Sequence, residues 1–397
     1  MTTDWRRGRS ILVMDAHAMG ALAAVRSLGR AGYRVIAASP RGDALALRSR
    51  YCAAPVRLTD PGHDGYFDAL DRLLAEQRID AIVPSEGFLL RIRPRFDRYA
   101  ALLPVPADPS VMYRAFAKWD LFEASAGATA REHLPPFLLL DRQQRALHAA
   151  DLESLPEPVF VKTDAVHADP AAAATGAGGV RRCATRAAAL EAAQRALDSH
   201  RRALLQGFVP GIGVGAFIAR WHDRTLAEFM HRRVHEVPHT GGVSSYRRSW
   251  RHAAVMQDAR TRLGLLGWQG VGMVEYRWDP ASDRFWLMEL NARFWGSLHL
   301  ALAAGVDFPR LLLDAFFGQP QPPVTDYADV GCRLTFPAEV EYVLSCLRDR
   351  SLPLARRLAP LPEFVLLGLQ PGVYADLSFP GDRVLYLHGL LQSLRRW

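Results

Sequence analysis

Met288-Glu289-Leu290-Asn291-Ala292-Arg293-Phe294-Trp295-Gly296-Ser297 is the stretch on which the reading of this chain turns. Glu289, Asn291 and Arg293 alternate with Leu290 and Ala292, so an extended backbone sends the three polar groups to one face. Strand pattern over 284–290 follows strand pattern over 270–278 across Asp279-Pro280-Ala281-Ser282-Asp283, which predicts a hairpin. Glu275, on the first strand, can join the polar face. Two carboxylates and an amide oxygen there form a hard-oxygen site suited to Mg2+, which keeps waters and binds substrate phosphates. A solvated sheet face would alternate in the same way. Phe285, Trp286, Phe294 and Trp295 argue instead for burial, and buried carboxylates need a metal or an arginine.

Upstream, only two of the forty-nine Lys and Arg residues are lysines, Lys118 and Lys162. A lysine is a compact point charge where an arginine is a wide fork, so a cramped anion pocket distinguishes them. The apolar periodicity predicts one amphipathic helix over 109–126 carrying Lys118, and a short strand over 158–162 ending on Lys162. An Ala- and Gly-rich loop over 165–179 follows, closing on Thr175-Gly176-Ala177-Gly178-Gly179-Val180. A helix over 186–199, strands over 203–208, 213–221 and 225–234, and a glycine-serine loop Gly241-Gly242-Val243-Ser244-Ser245 come next. At the start, strand 10–15, helix 18–31 stopped by Gly32, strand 33–39, helix 66–77 and strand 80–84 make a small open α/β region. It has no GxGxxG, so the dinucleotide fingerprint is absent. Glu86 follows the last of these strands, where open α/β sheets bind ligands, and is equally readable as a loop carboxylate.

The formal charge of +8 suits an anionic partner, but the arginines are scattered and form no nucleic-acid module, which argues for small anionic ligands over nucleic acid. Cys52, Cys183, Cys332 and Cys346 have neither CxxC nor metal-ligand spacing, as in a reducing cytoplasm. Asp15 and His17 interrupt the only stretch that superficially resembles a signal peptide, and no run reaches the roughly 20 apolar residues of a membrane span. The expectation is a cytoplasmic protein without stable membrane insertion. His231 and His235 fall on a strand rather than a helix, so their spacing does not make a metal pair; they and His239 and His252 read as solvated or packing histidines.

These parts, in this order, resemble the ATP-grasp superfamily over roughly residues 10–320, and within it the subgroup called predicted ATP-dependent carboligases. The resemblance implies an α/β (α+β) fold: a pre-ATP-grasp open α/β domain over 1–110, a small lobe with both lysines over 111–204, a large lobe with the metal site over 205–320, and a C-terminal appendage over 321–397. It implies that Lys118 and Lys162 contact ATP phosphates, that Gly176, Gly178 and Gly179 close over them through backbone N–H groups, and that Gln206, Phe208 and Val209 form the adenine hinge. Gly207 stands where many relatives have glutamate, and 210–215 lacks an acid for ribose. Glu275, Glu289 and Asn291 would hold one or two Mg2+ ions, with Mn2+ as the alternative, and Arg293 would stabilise the transferring phosphoryl group. Of Arg232 and Arg233 only one can face the cleft, as a clamp for the carboxylate substrate or as a plain strand arginine. Gly241, Gly242, Ser244 and Ser245 are a substrate loop or an ordinary turn.

The implied activity is an ADP-forming carboxylate–amine ligase acting through an acyl phosphate, with small carboxylate and amine substrates and room for a homodimer. An ATP-grasp kinase or carboxylase-type enzyme with another acceptor, or a regulatory nucleotide-binding protein with lapsed catalysis, stays open. Residues 325–397 match no motif. Their end reads as a helix whose stripe Leu387, Leu391, Leu394 and Trp397 is expected to pack on the body or a dimer partner.

Overall fold

Every residue of β1 (Ser10–Val13) is buried, the pattern of a central parallel strand covered on both faces. With β2 (Arg34–Ser39), β3 (Ala54–Arg57) and β4 (Ala81–Val83) it forms a parallel sheet of order β3-β2-β1-β4. The crossover helix Met19–Arg30 stops where Gly32 takes a φ of 101° that side-chain-bearing residues avoid. The computed structural model describes residues 4–59, 62, 64–127, 129–143, 147–169 and 178–394.

A second, antiparallel sheet runs β5-β8-β6-β7, from β5 (Phe137–Asp141), β6 (Val159–Thr163), β7 (Gly179–Cys183) and β8 (Arg202–Gln206). Helix Arg186–Ser199, capped by the Thr185 hydroxyl, covers it through Ala189 and Ala193 against Val159, Val161 and Leu205. The third sheet has seven strands: β9 (Ile212–Trp221), β10 (Arg224–Val237), β11 (Val243–Ser249), β12 (Gly270–Asp279), β13 (Arg284–Asn291), β14 (Gly331–Arg333) and β15 (Val373–Ala375). One core joins the first sheet to the third: Leu12, Ile82, Phe88, Val214, Val274 and Tyr276 belong to the same buried cluster.

Three expectations change. The predicted helix over 109–126 is two helices, Pro109–Arg114 and Lys118–Ala126. The cause lies outside the segment: the Asp164 carboxylate accepts hydrogen bonds from the Lys118 and Trp119 backbone N–H groups at 2.8 and 3.4 Å, capping a new helix start there. The loop over 241–245 is shorter than expected. Gly241, with φ 124°, turns the chain, and Val243 already pairs with Val237 and Ser244 with Glu236 on β10. The final helix, Val384–Leu394, turns Leu387 and Leu391 outward and is anchored instead through buried Leu385. Trp397 lies outside the described residues.

Residues beyond 321 add β14 antiparallel to β11 and β15 parallel to β14. Their loops also reach the third sheet and the helix Met19–Arg30. Asp376 pairs with the buried Arg247 of β11, and Asp382 accepts from Arg26 Nε at 2.9 Å and from Ser49 Oγ at 2.7 Å. Among the described residues no helix is long and apolar enough to cross a membrane.

Candidate functional site

Strands β12 and β13 pair so that Glu275 lies directly opposite Glu289. Asn291, one alternation further along, donates Nδ2 to Glu289 Oε1 at 3.0 Å and accepts from Arg293 Nη2 at 3.3 Å. The period of two in the sequence thus delivers four polar groups to one patch. Leu287 and Leu290 turn into the core behind it.

The facing wall comes from the second sheet. Lys162, buried on β6, donates Nζ to Gln206 Oε1 at 2.6 Å and reaches the Met288 carbonyl at 3.4 Å. Lys118 opens its helix with Nζ 3.3 Å from Glu289 Oε2 and 3.5 Å from Asp164 Oδ1. From β10, Arg233 sets Nη2 2.6 Å from Glu275 Oε2 and Nη1 3.1 Å from Glu236 Oε1. Arg232 is exposed, so of the arginine pair it is Arg233 that meets the acids.

The charges tune one another. Burial raises the Glu275 pKa above the ordinary glutamate value against the opposing pull of Arg233. Burial would raise Glu289 too, but Lys118, the Asn291 amide and Lys162 together hold it below that value. Burial would lower Lys118, yet Glu289, Asp164 and Glu86 outweigh it and raise this ammonium. Lys162 has no such surplus: burial pulls it down to about 8, with Glu289 opposing and Lys118 adding to the fall. Of the two lysines, Lys118 is thus a secure cation and Lys162 one whose charge depends on what binds.

Two carboxylates and an amide oxygen facing two ammonium groups fit a hard divalent cation that shares its shell with water and phosphate oxygens.

No family model matches the sequence, and no curated protein matches it. Solved structures do match. The biotin carboxylase–β,γ-ATP complex from Campylobacter jejuni superposes with a TM-score of 0.59 at 16% identity, over 79% of this chain and 72% of that one. The ADP complex of N5-carboxyaminoimidazole ribonucleotide synthetase gives 0.60 at 15% identity, over 83% and 82%. An L-amino acid ligase from Bacillus licheniformis gives 0.54 at 15% identity, over 78% and 74%. The chain has the ATP-grasp fold.

Within that fold, the departures noted in the sequence acquire packing reasons. A Cβ on Gly207 would stand 2.5 Å from Pro156 Cδ and 2.9 Å from its nitrogen, so no side chain fits there. The Gly207 and Phe208 N–H groups already donate to the Pro136 and Pro156 carbonyls at 2.8 and 2.9 Å. The Gln206 side chain is engaged with Lys162. Gly213 makes room for Arg233, whose Cδ would lie 2.7 Å from a Cβ at that position.

Of the remaining candidates, Gly178 and Gly179 lead into β7 beside Lys162, whose register partner is Val180. Gly176 lies outside the described residues. Gly241 and Gly242 form the β10–β11 turn; Ser244 Oγ bonds the Tyr246 carbonyl at 3.1 Å and Ser245 is fully buried, so neither hydroxyl joins the acid patch. The four histidines serve packing and capping: His235 stacks on Tyr342 at 4.0 Å, His239 bonds Asp349 at 3.0 Å, and His252 Nδ1 caps the helix Ala253–Leu265. His231 is buried against Phe217 at 4.7 Å.

Glu86 accepts from Arg293 Nε at 3.0 Å, which ties the patch to a cavity of about 580 Å3 at the C-terminal ends of β1 and β4. Asp15 and His17 line that cavity as well. In the sequence alone both stand out only as interruptions of an apolar run. The signal was their place just after a parallel strand, where open sheets bind ligands.

Proposed function

We propose that the protein is an ATP-dependent carboxylate–amine ligase that releases ADP and phosphate. The observation that carries this reading is the meeting of Lys118 and Lys162 with Glu275, Glu289, Asn291 and Arg293, drawn from two sheets onto one patch. Its chemistry is that of a nucleotide triphosphate with a divalent ion. Relatives in fold include an L-amino acid ligase and a phosphoribosylglycinamide synthetase, whose names describe the same bond-forming class.

In this reading Lys118 and Lys162 bind the phosphates from one wall. Glu275, Glu289 and Asn291 would hold Mg2+, which supplies charge neutralisation on the triphosphate. The substrate carboxylate attacks the γ-phosphorus, ADP leaves, and an acyl phosphate forms. Arg293 donates to the phosphoryl oxygens as charge moves onto them. An amine then attacks the acyl carbon, phosphate departs with the bonding pair, and the amine proton is lost to solvent. No covalent enzyme nucleophile is needed; positioning and charge supply the rate. The hinge Gly207 does not argue for lapsed catalysis, since Pro156 accounts for it. Cytoplasmic residence, supported by four cysteines free of disulfides, belongs to the same proposal.

The test is ADP release with pooled carboxylates and amines, with amide and phosphate counted in the products. Lys162→Ala and Glu289→Ala should each lower ADP release at least about 100-fold with circular dichroism unchanged. Undiminished turnover in either variant overturns the assignment. Phosphate without amide would mean a different acceptor.

A further inference from the structure

A cavity of about 500 Å3 opens between the ends of β9, β10 and β12 and the C-terminal helices Val340–Arg348, Leu354–Leu358 and Pro360–Leu369. Three guanidinium groups, of Arg233, Arg277 and Arg356, and two carboxylates, of Glu236 and Glu363, line it. Their pairings are unequal. Arg233 is neutralised twice over, by Glu236 at 3.1 Å and Glu275 at 2.6 Å, and Glu236 is thereby engaged. Glu363 sits 3.3 Å from His235 Nε2. Arg277 is half-buried and donates Nη1 only to the Gly211 carbonyl, at 2.8 Å. Among the described residues no carboxylate lies within ion-pair distance of Arg277 or of the exposed Arg356. Two forks without a carboxylate partner therefore face one cavity, whose lining sets three guanidinium groups against two carboxylates.

Position gives this surplus a purpose. Arg277 lies two residues past Glu275 on the same face of β12, which puts it about 7 Å along the strand from the acid patch. Arg233 touches Glu275 and also lines the cavity, so the two spaces share a wall. Ile212, Tyr342 and Leu352 add apolar surface to the lining. A planar guanidinium recognises a carboxylate through two parallel N–H···O bonds.

The geometry points to a binding site, at Arg277 and Arg356, for a carboxylate that does not react. It is either the second acid group of the acyl donor or the free carboxylate of an amino-acid nucleophile. This rests on the ligase reading for its biological meaning, while the site itself is defined by the two arginines. Arg277 stands on β12 beside Glu275 and Arg356 on a segment that carries no motif, so the site joins a nucleotide strand to the C-terminal helices.

Isothermal titration of the full-length protein, with and without MgADP, tests it with two pairs of probes. Glutarate against butyrate reads the donor arm, and L-alanine against ethylamine reads the acceptor arm. In one arm the carboxylate-bearing probe should bind at least about tenfold tighter than its partner, and the arm that shows this identifies the source. Arg277→Gln and Arg356→Gln should each erase that preference and leave MgADP affinity unchanged. Equal binding within both pairs, or a preference that survives both substitutions, overturns the site. A wild-type protein that takes the probes and not MgADP would overturn the ligase reading and leave the site standing.

Discussion

MgADP affinity should fall about tenfold between pH 7 and pH 9 because of one side chain, Lys162, whose pKa is pulled to about 8. Burial is the main cause, with Glu289 opposing it and Lys118 reinforcing it. The ammonium has Gln206 Oε1 at 2.6 Å, a neutral acceptor that cannot replace lost hydration. Phosphate oxygens would supply the missing negative charge and return the group toward its ordinary value near 10.4. The sign follows from the proton count. As pH rises through 8 the free protein releases the Lys162 proton and the complex keeps it, so binding must take a proton up. About nine-tenths of the free protein carries that proton at pH 7 and about one-tenth at pH 9, a cost of about 1.4 kcal/mol across the interval. Lys118, raised by its carboxylates, stays charged throughout and adds nothing to the slope. Calorimetric titration in buffers of different ionisation enthalpy reads both quantities. About half a proton should enter per ADP at pH 8, and Lys162→Met should abolish the uptake. The same depressed pKa makes unfolding stability rise with pH between about 8 and 10.4, since the unfolded chain still binds the proton there. Affinity independent of pH with no proton uptake would refute the reasoning.

Restoring a side chain at the hinge should hurt rather than help: Gly207→Ala places a Cβ 2.5 Å from Pro156 Cδ, and thermal unfolding should report a loss of about 1–3 kcal/mol. Asp382→Ala strips the Arg26 guanidinium, which is fully buried, of its carboxylate, and urea denaturation should show a loss of about 3–5 kcal/mol.

The parts of this molecule that were legible in the sequence are those whose cause is local. Alternation over 289–293 dictates that Glu289, Asn291 and Arg293 share a face, and hairpin pairing then brings Glu275 opposite. Gly32 ends its helix for a reason confined to its own backbone. What escaped was decided at a distance. Asp164 splits the helix before Lys118 from forty-six positions away, and no periodicity inside 109–126 announces it. Parity alone shows that Arg232 and Arg233 face opposite ways, and the ion pair with Glu275 selects Arg233. Gly207 looked like a lost hinge side chain and 210–215 like a stretch lacking a ribose acid, because the Pro156 ring beside Gly207 and the Arg233 stem beside Gly213 are invisible in sequence.

The same contrast explains why the chain announces a nucleotide more readily than a substrate. The groups proposed for phosphate and metal hang on adjacent strands and one helix start, where spacing is readable. The cavity beside them is finished by residues 340–363, whose position depends on contacts far from any motif. Asp376 binds Arg247 in the large sheet, and Asp382 binds Arg26 in the helix Met19–Arg30. Glu339 lies 3.2 Å from His235 Nδ1 on β10. Each of these ties a C-terminal carboxylate to a buried cation or imidazole of another part of the chain. The segment is thus held from two sides, and Arg356 with it. On the proposed reading, changes within 340–363 that keep the three anchors would alter substrate choice and leave the groups proposed for phosphate in place. On this argument the anchors at Glu339, Asp376 and Asp382 hold the frame, and Arg356 is the position free to change with the substrate.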